Sequence, residues 1–148
     1  MAIHIKQPET EEEFKNYYHL RWKLLRAPWK QPEGSEIDSI ENQCLHLMAI
    51  NDDKSVIAVA RLQSNSDIEA QIRYMAVEKK YERRGIGRQL INAIEHHARS
   101  NNHQQIVLDA RESAIDFYKS LNYIVIKKSY LLFGEIQHYR LQRTIALV

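Results

Sequence analysis

Residues 81–90 read YERRGIGRQL, with two glycines one residue apart, three arginines around them and a helical pattern beyond. A turn entering a helix in this way exposes backbone N–H groups that lack an intrahelical partner, at the positive end of the helix dipole. Gly85 and Gly87 admit close approach to that backbone, while Arg83, Arg84 and Arg88 add charge around it. The chemistry on offer is retention of a phosphate-bearing anion. The same residues also suit an ordinary helix start with solvated arginines, and the loop alone leaves both readings open. Two phosphate motifs are excluded: no Lys-Ser/Thr follows Gly87, as Walker A requires, and Leu90 stands where the dinucleotide fingerprint has its third glycine.

Such a loop needs a strand before it and a helix after it. Residues 71–77, QIRYMAV, read as the strand, and Leu90, Ile91, Ile94 and Ala98 put an apolar stripe on the helix, which is expected to end near Asn101-Asn102. Upstream, Ile3 and Ile5 predict a short first strand closed by Pro8. Thr10 with Glu13 predicts a capping box for a helix carrying Phe14, Tyr17, Leu20, Leu24 and Leu25 up to about Ala27. Residues 30–43, KQPEGSEIDSIENQ, read as a polar, mobile loop with room for a short helix. The runs 45–50 and 56–62, around NDDKS, predict a hairpin. Downstream, 106–108 reads as a strand, Ser113 as the cap of a helix reaching Leu121, and 123–126 as a strand. Residues 130–133 and 138–142 read as the arms of a last hairpin around Gly134-Glu135. Hairpins mixed with βα units predict an α/β (α+β) chain: a mixed sheet flanked by helices on its faces.

Composition narrows the function classes. A chain of 148 residues with 44% hydrophobic and 27% charged residues, 4 Gly and 3 Pro, predicts a single domain, 1–148, with its own core. The 21 basic and 19 acidic residues are too balanced to announce a nucleic-acid binder, and the basic residues around the loop have only Tyr81 as an aromatic neighbour. The lone Cys44 offers neither a disulfide nor a zinc-ligand spacing, so no metal is expected. The start, MAIHIKQPETEEEF, lacks the apolar core of a signal peptide or membrane span, so a cytoplasmic location without membrane attachment is expected.

The loop and a second segment together resemble the GNAT superfamily of N-acetyltransferases. The family's fourth strand runs into a loop of pattern (Gln/Arg)-x-x-Gly-x-(Gly/Ala), matched here by Glu82 to Gly87, with Glu82 departing at the first position. A later family segment, a helix carrying A-x-x-(F/L)-Y followed by G-(F/Y), appears as DARESAIDFYKSLNY, with Asn122 where glycine is usual. The resemblance covers nearly the whole chain and implies a central mixed, mostly antiparallel sheet flanked by helices on both faces. It implies that acetyl-CoA is the cosubstrate, held at its pyrophosphate by Arg83, Arg84, Gly85, Ile86, Gly87 and Arg88. Met75, Ala76 and Val77 would offer backbone groups to the pantetheine and thioester, with Ser113 and Tyr118 also among the coenzyme contacts. Tyr118 matches the family tyrosine that gives a proton to the departing sulfur.

Within the superfamily the chain resembles the subgroup that includes glyphosate N-acetyltransferases, where a histidine in the last hairpin acts as base. His138 in GEIQHYRLQ stands there, and an ordinary imidazole, of pKa ~6.5, can take a proton near neutrality. The subgroup also carries arginines at the ends of its first helix, fourth strand and fifth strand, matched by Arg26, Arg73 and Arg111, with Arg21 competing for the first place. Together with His138 they would receive a small amine acceptor bearing a carboxylate or phosphate. A monomer or homodimer is expected. Acetylation of a protein or peptide, and acyl-CoA sensing without turnover, are the alternatives.

Overall fold

The first helix begins where its cap was expected. In the computed structural model, which describes residues 2–145, the Glu13 amide donates to Thr10 Oγ1 at 3.0 Å and the Thr10 amide donates to Glu13 Oε1 at 3.2 Å. Lys6 Nζ also reaches Glu13 at 2.6 Å. That ammonium, with the Glu9 and Thr10 amides, draws the Glu13 carboxyl down to about 2. Helix α1 (Glu11–Leu25) stops short of Ala27. Pro28 disfavours helical backbone at the residue before it, and Ala27–Trp29 tightens into a 3-10 turn.

Seven strands form one sheet in the order β1-β2-β3-β4-β5-β7-β6. They are β1 (His4–Lys6), β2 (Leu45–Ile50), β3 (Val56–Ser64), β4 (Glu69–Val77), β5 (Gln105–Arg111), β6 (Ile124–Leu132) and β7 (Ile136–Thr144), with helices α2 (Ile86–Ser100) and α3 (Ile115–Ser120) between them. The β1–β2, β2–β3, β5–β7 and β6–β7 ladders are antiparallel. Strands β4 and β5 run parallel from Glu69↔Gln105 to Ile72↔Leu108. This is the mixed sheet read from the element order, and it is mostly antiparallel, as the family resemblance implies. Among the described residues, no helix is long and apolar enough to cross a membrane.

The contacts divide the chain into two compact units. The first comprises the residues up to Gln63 with Tyr74–Ile94. Its core is Tyr17 and Leu20 of α1, Met48 of β2 and Val59 of β3, joined by Phe14, Tyr18, Leu24, Ile50, Val56 and Ala76. The helical spacing of 17, 20 and 24 supplies one apolar face. The nearly unbroken runs LHLMAI and VIAVARL are those of strands buried almost throughout. The second unit comprises Ser64–Arg73 with the residues from Glu95 onward. It buries Ile106, Val107 and Leu108 of β5, Leu141 of β7, and Tyr118, Leu121 and Tyr123. Its deeply buried Glu95 carboxylate is satisfied by the Tyr123 hydroxyl at 2.9 Å and by Arg143 at 2.8 Å.

Three expectations need correction. The separate strands at 123–126 and 130–133 are one strand, β6, because it lies at the sheet edge. There Lys127 and Lys128 stay solvated without breaking the ladder, and register shifts between Val125/Lys127 and Lys128/Leu131 absorb the irregular pattern. Ser113 caps no helix. It sits inside a 3-10 turn, Glu112–Ala114, and the cap of α3 is Ala114, with no side-chain bond. Residues 30–43 are tied down rather than loose, since Glu36 and Glu41 are buried and Glu41 opens a 3-10 turn, Glu41–Gln43.

Candidate active site

In the first unit, β4 delivers the chain to the glycine loop. The Glu78 amide donates to the Ile57 carbonyl at 2.8 Å, a 3-10 turn covers Lys79–Tyr81, and then Arg83 (φ 63°) and Gly85 (φ 79°) take left-handed backbone. The Gln89 amide donates to the Gly85 carbonyl at 3.1 Å, which makes Gly85 the residue that starts α2. The amides of Ile86, Gly87 and Arg88 therefore occupy the first turn, where helical geometry provides them no acceptor. Ile86 buries its side chain in the core and can offer a ligand only its backbone, whereas Arg83, Arg84 and Arg88 are exposed. Left-handed backbone leading into a helix start, flanked by guanidiniums, fits a pyrophosphate.

Upstream of the loop, Met75, Ala76 and Val77 are half-buried at the end of β4, just past Tyr74, which has φ 53°. Tyr74 carries no local signal in the sequence, since nothing announces left-handed backbone at an aromatic residue in a strand. Around it lies a buried charge cluster. Arg21 Nη1 donates to Glu41 Oε2 at 2.7 Å, and Arg21 Nη2 donates to the Tyr17 hydroxyl at 2.9 Å. Arg61 meets the same Glu41 oxygen at 3.0 Å and grips Asp38 with two bonds of 2.8 Å. His46 bridges the Tyr17 hydroxyl and the Glu41 carbonyl, and burial lowers its pKa below the ordinary 6.5, favouring the neutral imidazole. The signal that could have revealed the cluster is the charge of Arg61 inside the apolar run VIAVARL.

Arg21 is thus an interior residue, fully buried and committed to Glu41, Tyr17 and the Glu36 carbonyl. Arg26 is half-buried, donates to the Ser35 and Leu25 carbonyls, and lies 5.5 Å from the Tyr74 ring centre. Arg26 belongs to the first unit, while Arg73, half-buried on β4, and Arg111, exposed at the end of β5, belong to the second.

The second unit also holds the two proton-transfer candidates. Tyr118 is buried on α3, with ring centres of Phe117 at 5.0 Å and Tyr123 at 5.8 Å. Burial pushes its phenol well above the ordinary 10, opposed only in part by the charge of Arg111. It therefore stays protonated near neutrality, as a donor must. His138 lies opposite Arg111 in the β5–β7 ladder, so both side chains leave the same face of the sheet. Its Nδ1 lies 3.0 Å from the Ile136 carbonyl. A carbonyl only accepts, so Nδ1 carries a hydrogen, and in the neutral ring the lone pair a base requires is on Nε2. Tyr130 stacks on the imidazole at 4.6 Å and 10°. Ser113 is exposed on the 3-10 turn before α3. Among the described residues, no group of three or more His, Cys, Asp or Glu is arranged to hold a metal ion.

Residues 14–123 match the Acetyltransferase (GNAT) family, and the chain belongs to that family. An uncharacterized N-acetyltransferase of Bacillus subtilis, YjcF, is 25% identical over 135 residues, covering 91% of this chain and 95% of its own. Among solved structures, a candidate N-acetyltransferase of Lactobacillus plantarum superposes with a TM-score of 0.86 at 20% identity, over 99% of this chain and 100% of that one. An aminoglycoside 6'-N-acetyltransferase complexed with coenzyme A gives 0.79 at 14% identity, over 99% and 98%. The ribosomal-protein-S18-alanine N-acetyltransferase of Escherichia coli gives 0.75 at 19% identity, over 99% and 96%. The structures share the fold, and family membership makes this chain an acetyltransferase.

Proposed function

We propose that this chain acts as a single catalytic domain, transferring an acetyl group from acetyl-CoA to the amine of a small, anionic acceptor. This is the manner of the subgroup that includes glyphosate N-acetyltransferases. Acetyl-CoA, when bound, supplies an acetyl group activated as a thioester. The loop amides from Arg83 to Arg88 hold the pyrophosphate, and the backbone of Met75–Val77 donates to the thioester oxygen. His138 Nε2 takes the proton of the attacking amine as the C–N bond forms, and the Tyr118 hydroxyl gives a proton to sulfur as the C–S bond breaks. Arg73 and Arg111 receive the acceptor's anionic group. The observation that carries the reading is His138 opposite Arg111 on one sheet face, with its Nδ1 already spent on a carbonyl.

Two experiments test it. Gly87→Val raises the dissociation constant of coenzyme A at least tenfold, because a branched side chain in the first turn of α2 blocks approach to the amides, whereas Arg84→Ala has a modest effect. Titration calorimetry decides this, and equal affinity for wild type and Gly87→Val removes the loop from the coenzyme site. For the acceptor, a charge-assisted hydrogen bond contributes about 1.5–3 kcal/mol, so Arg73→Ala or Arg111→Ala raises KM for anionic amines roughly tenfold or more. Neutral amines feel much less. A destabilised variant would lose activity on both kinds of acceptor, so the crossed comparison isolates the anion clamp. Spermidine outperforming every amino acid and phosphonate tested would overturn the anionic acceptor.

A further inference from the structure

We propose that Tyr74 is a positioning residue: the guanidiniums of Arg21 and Arg61, packed over its ring, hold the left-handed turn of β4 and thereby set the backbone of Met75–Val77. The inference rests on the reading that this backbone faces the thioester oxygen.

An aromatic residue at φ 53° in a strand is in a costly conformation, which persists only where the surroundings over-determine it. Glycine would adopt the same φ freely, yet the chain has tyrosine. What holds the ring is a convergence of cations. The Arg21 Cζ lies 4.3 Å from the ring centre, Arg61 Cζ 4.8 Å and Arg26 Cζ 5.5 Å. Arg21 and Arg61 are both fully buried, where a cation's attraction to a ring face is strongest.

Neither guanidinium is free to wander. They share the Glu41 Oε2 atom at 2.7 and 3.0 Å, Arg61 is forked onto Asp38, and Arg21 is pinned to the Tyr17 hydroxyl. Arg21 comes from α1, Arg61 from β3, and Asp38 and Glu41 from the segment before β2, so separate parts of the first unit fix one ring. Buried ion clusters are weak stabilisers compared with apolar packing of the same volume, and an aliphatic core would fill this space at lower cost. What an aliphatic core would lack is directional hold on the ring of the residue that immediately precedes Met75.

Three substitutions separate this role from simple packing. Tyr74→Phe keeps the ring, Tyr74→Leu keeps bulk without a π face, and Tyr74→Gly relaxes the backbone while removing the ring. The glycine variant folds with a thermal midpoint close to wild type. In both the leucine and glycine variants kcat falls roughly tenfold, the coenzyme A dissociation constant changes less than about threefold, and the amides of residues 75–77 exchange hydrogen roughly tenfold faster. Tyr74→Phe restores kcat to within about twofold and slow exchange with it. If the leucine variant fails to fold, the glycine variant decides. Wild-type kcat and exchange in the glycine variant overturn the proposal, as does a phenylalanine variant as impaired as glycine, which would assign the effect to the hydroxyl. Wild-type protein that neither binds coenzyme A nor transfers acetyl groups would sink the functional reading instead. Exchange at 75–77 would then still decide whether the clamp holds this backbone.

Discussion

Replacing His138 with alanine lowers kcat by about 10²–10⁴ while leaving coenzyme A affinity close to wild type, the range expected when a positioned general base is lost. The Ile136 carbonyl at 3.0 Å fixes which ring nitrogen holds the hydrogen, and the stacked Tyr130 ring at 4.6 Å fixes the plane of the imidazole, so Nε2 presents its lone pair in one direction. On the proposed role, alanine removes base and orientation together. Tyr130→Phe keeps the stacking surface and serves as the control, retaining most of the activity. Tyr118→Phe also lowers kcat, because a buried phenol held protonated is then missing when sulfur departs. Steady-state thiol release under saturating acceptor measures all three. Unchanged kcat in His138→Ala, both below and above neutral pH, would demote His138 to a packing residue.

Where the determinants were local, the sequence disclosed them. The capping box of α1 has both partners within three residues, Thr10 and Glu13, and its two hydrogen bonds are present. The order of strand, glycine loop and helix was legible because helical spacing begins directly after Gly85, the residue that starts α2. The edge strand β6 was split because an exposed edge tolerates Lys127 and Lys128 in mid-strand, removing the alternation by which strands are recognised. The charge cluster stayed hidden for a different reason. Arg21, Asp38, Glu41 and Arg61 are spread over some forty positions, and pairing at that separation leaves no periodic trace. Residues 30–43 read as a solvated loop because their polarity is real, but its purpose is to neutralise two interior arginines. Tyr74 could not be foreseen from residue preference, because its conformation is one that preference argues against.

Glu41→Ala destabilises the fold by about 3–5 kcal/mol, the cost of breaking a buried ion pair from one side. Two guanidiniums with no solvent exposure share one oxygen of this carboxylate. Without it, Arg21 loses its only ionic partner among the described residues, and Arg61 retains Asp38, whose side chain is 29% exposed. The backbone also suffers, since the Asp38 amide donates to the same Glu41 oxygen at 3.0 Å. At about 2–4 °C per kcal/mol for a chain of this size, the thermal midpoint falls by roughly 6–20 °C. Glu41→Gln, which keeps the shape and an acceptor but not the charge, falls between. Lys23→Ala provides the contrast: it removes a pair with Glu78 at 3.2 Å in which the lysine is 53% exposed, and such pairs contribute at most about 1 kcal/mol. Equal midpoint shifts in Glu41→Ala and Lys23→Ala, by calorimetry, would show that the cluster holds nothing a surface pair does not. A large shift with faster amide exchange at residues 75–77 would instead join the two roles of the cluster. The carboxylate that keeps the arginines in the interior would then also keep Tyr74, and the backbone beyond it, in place.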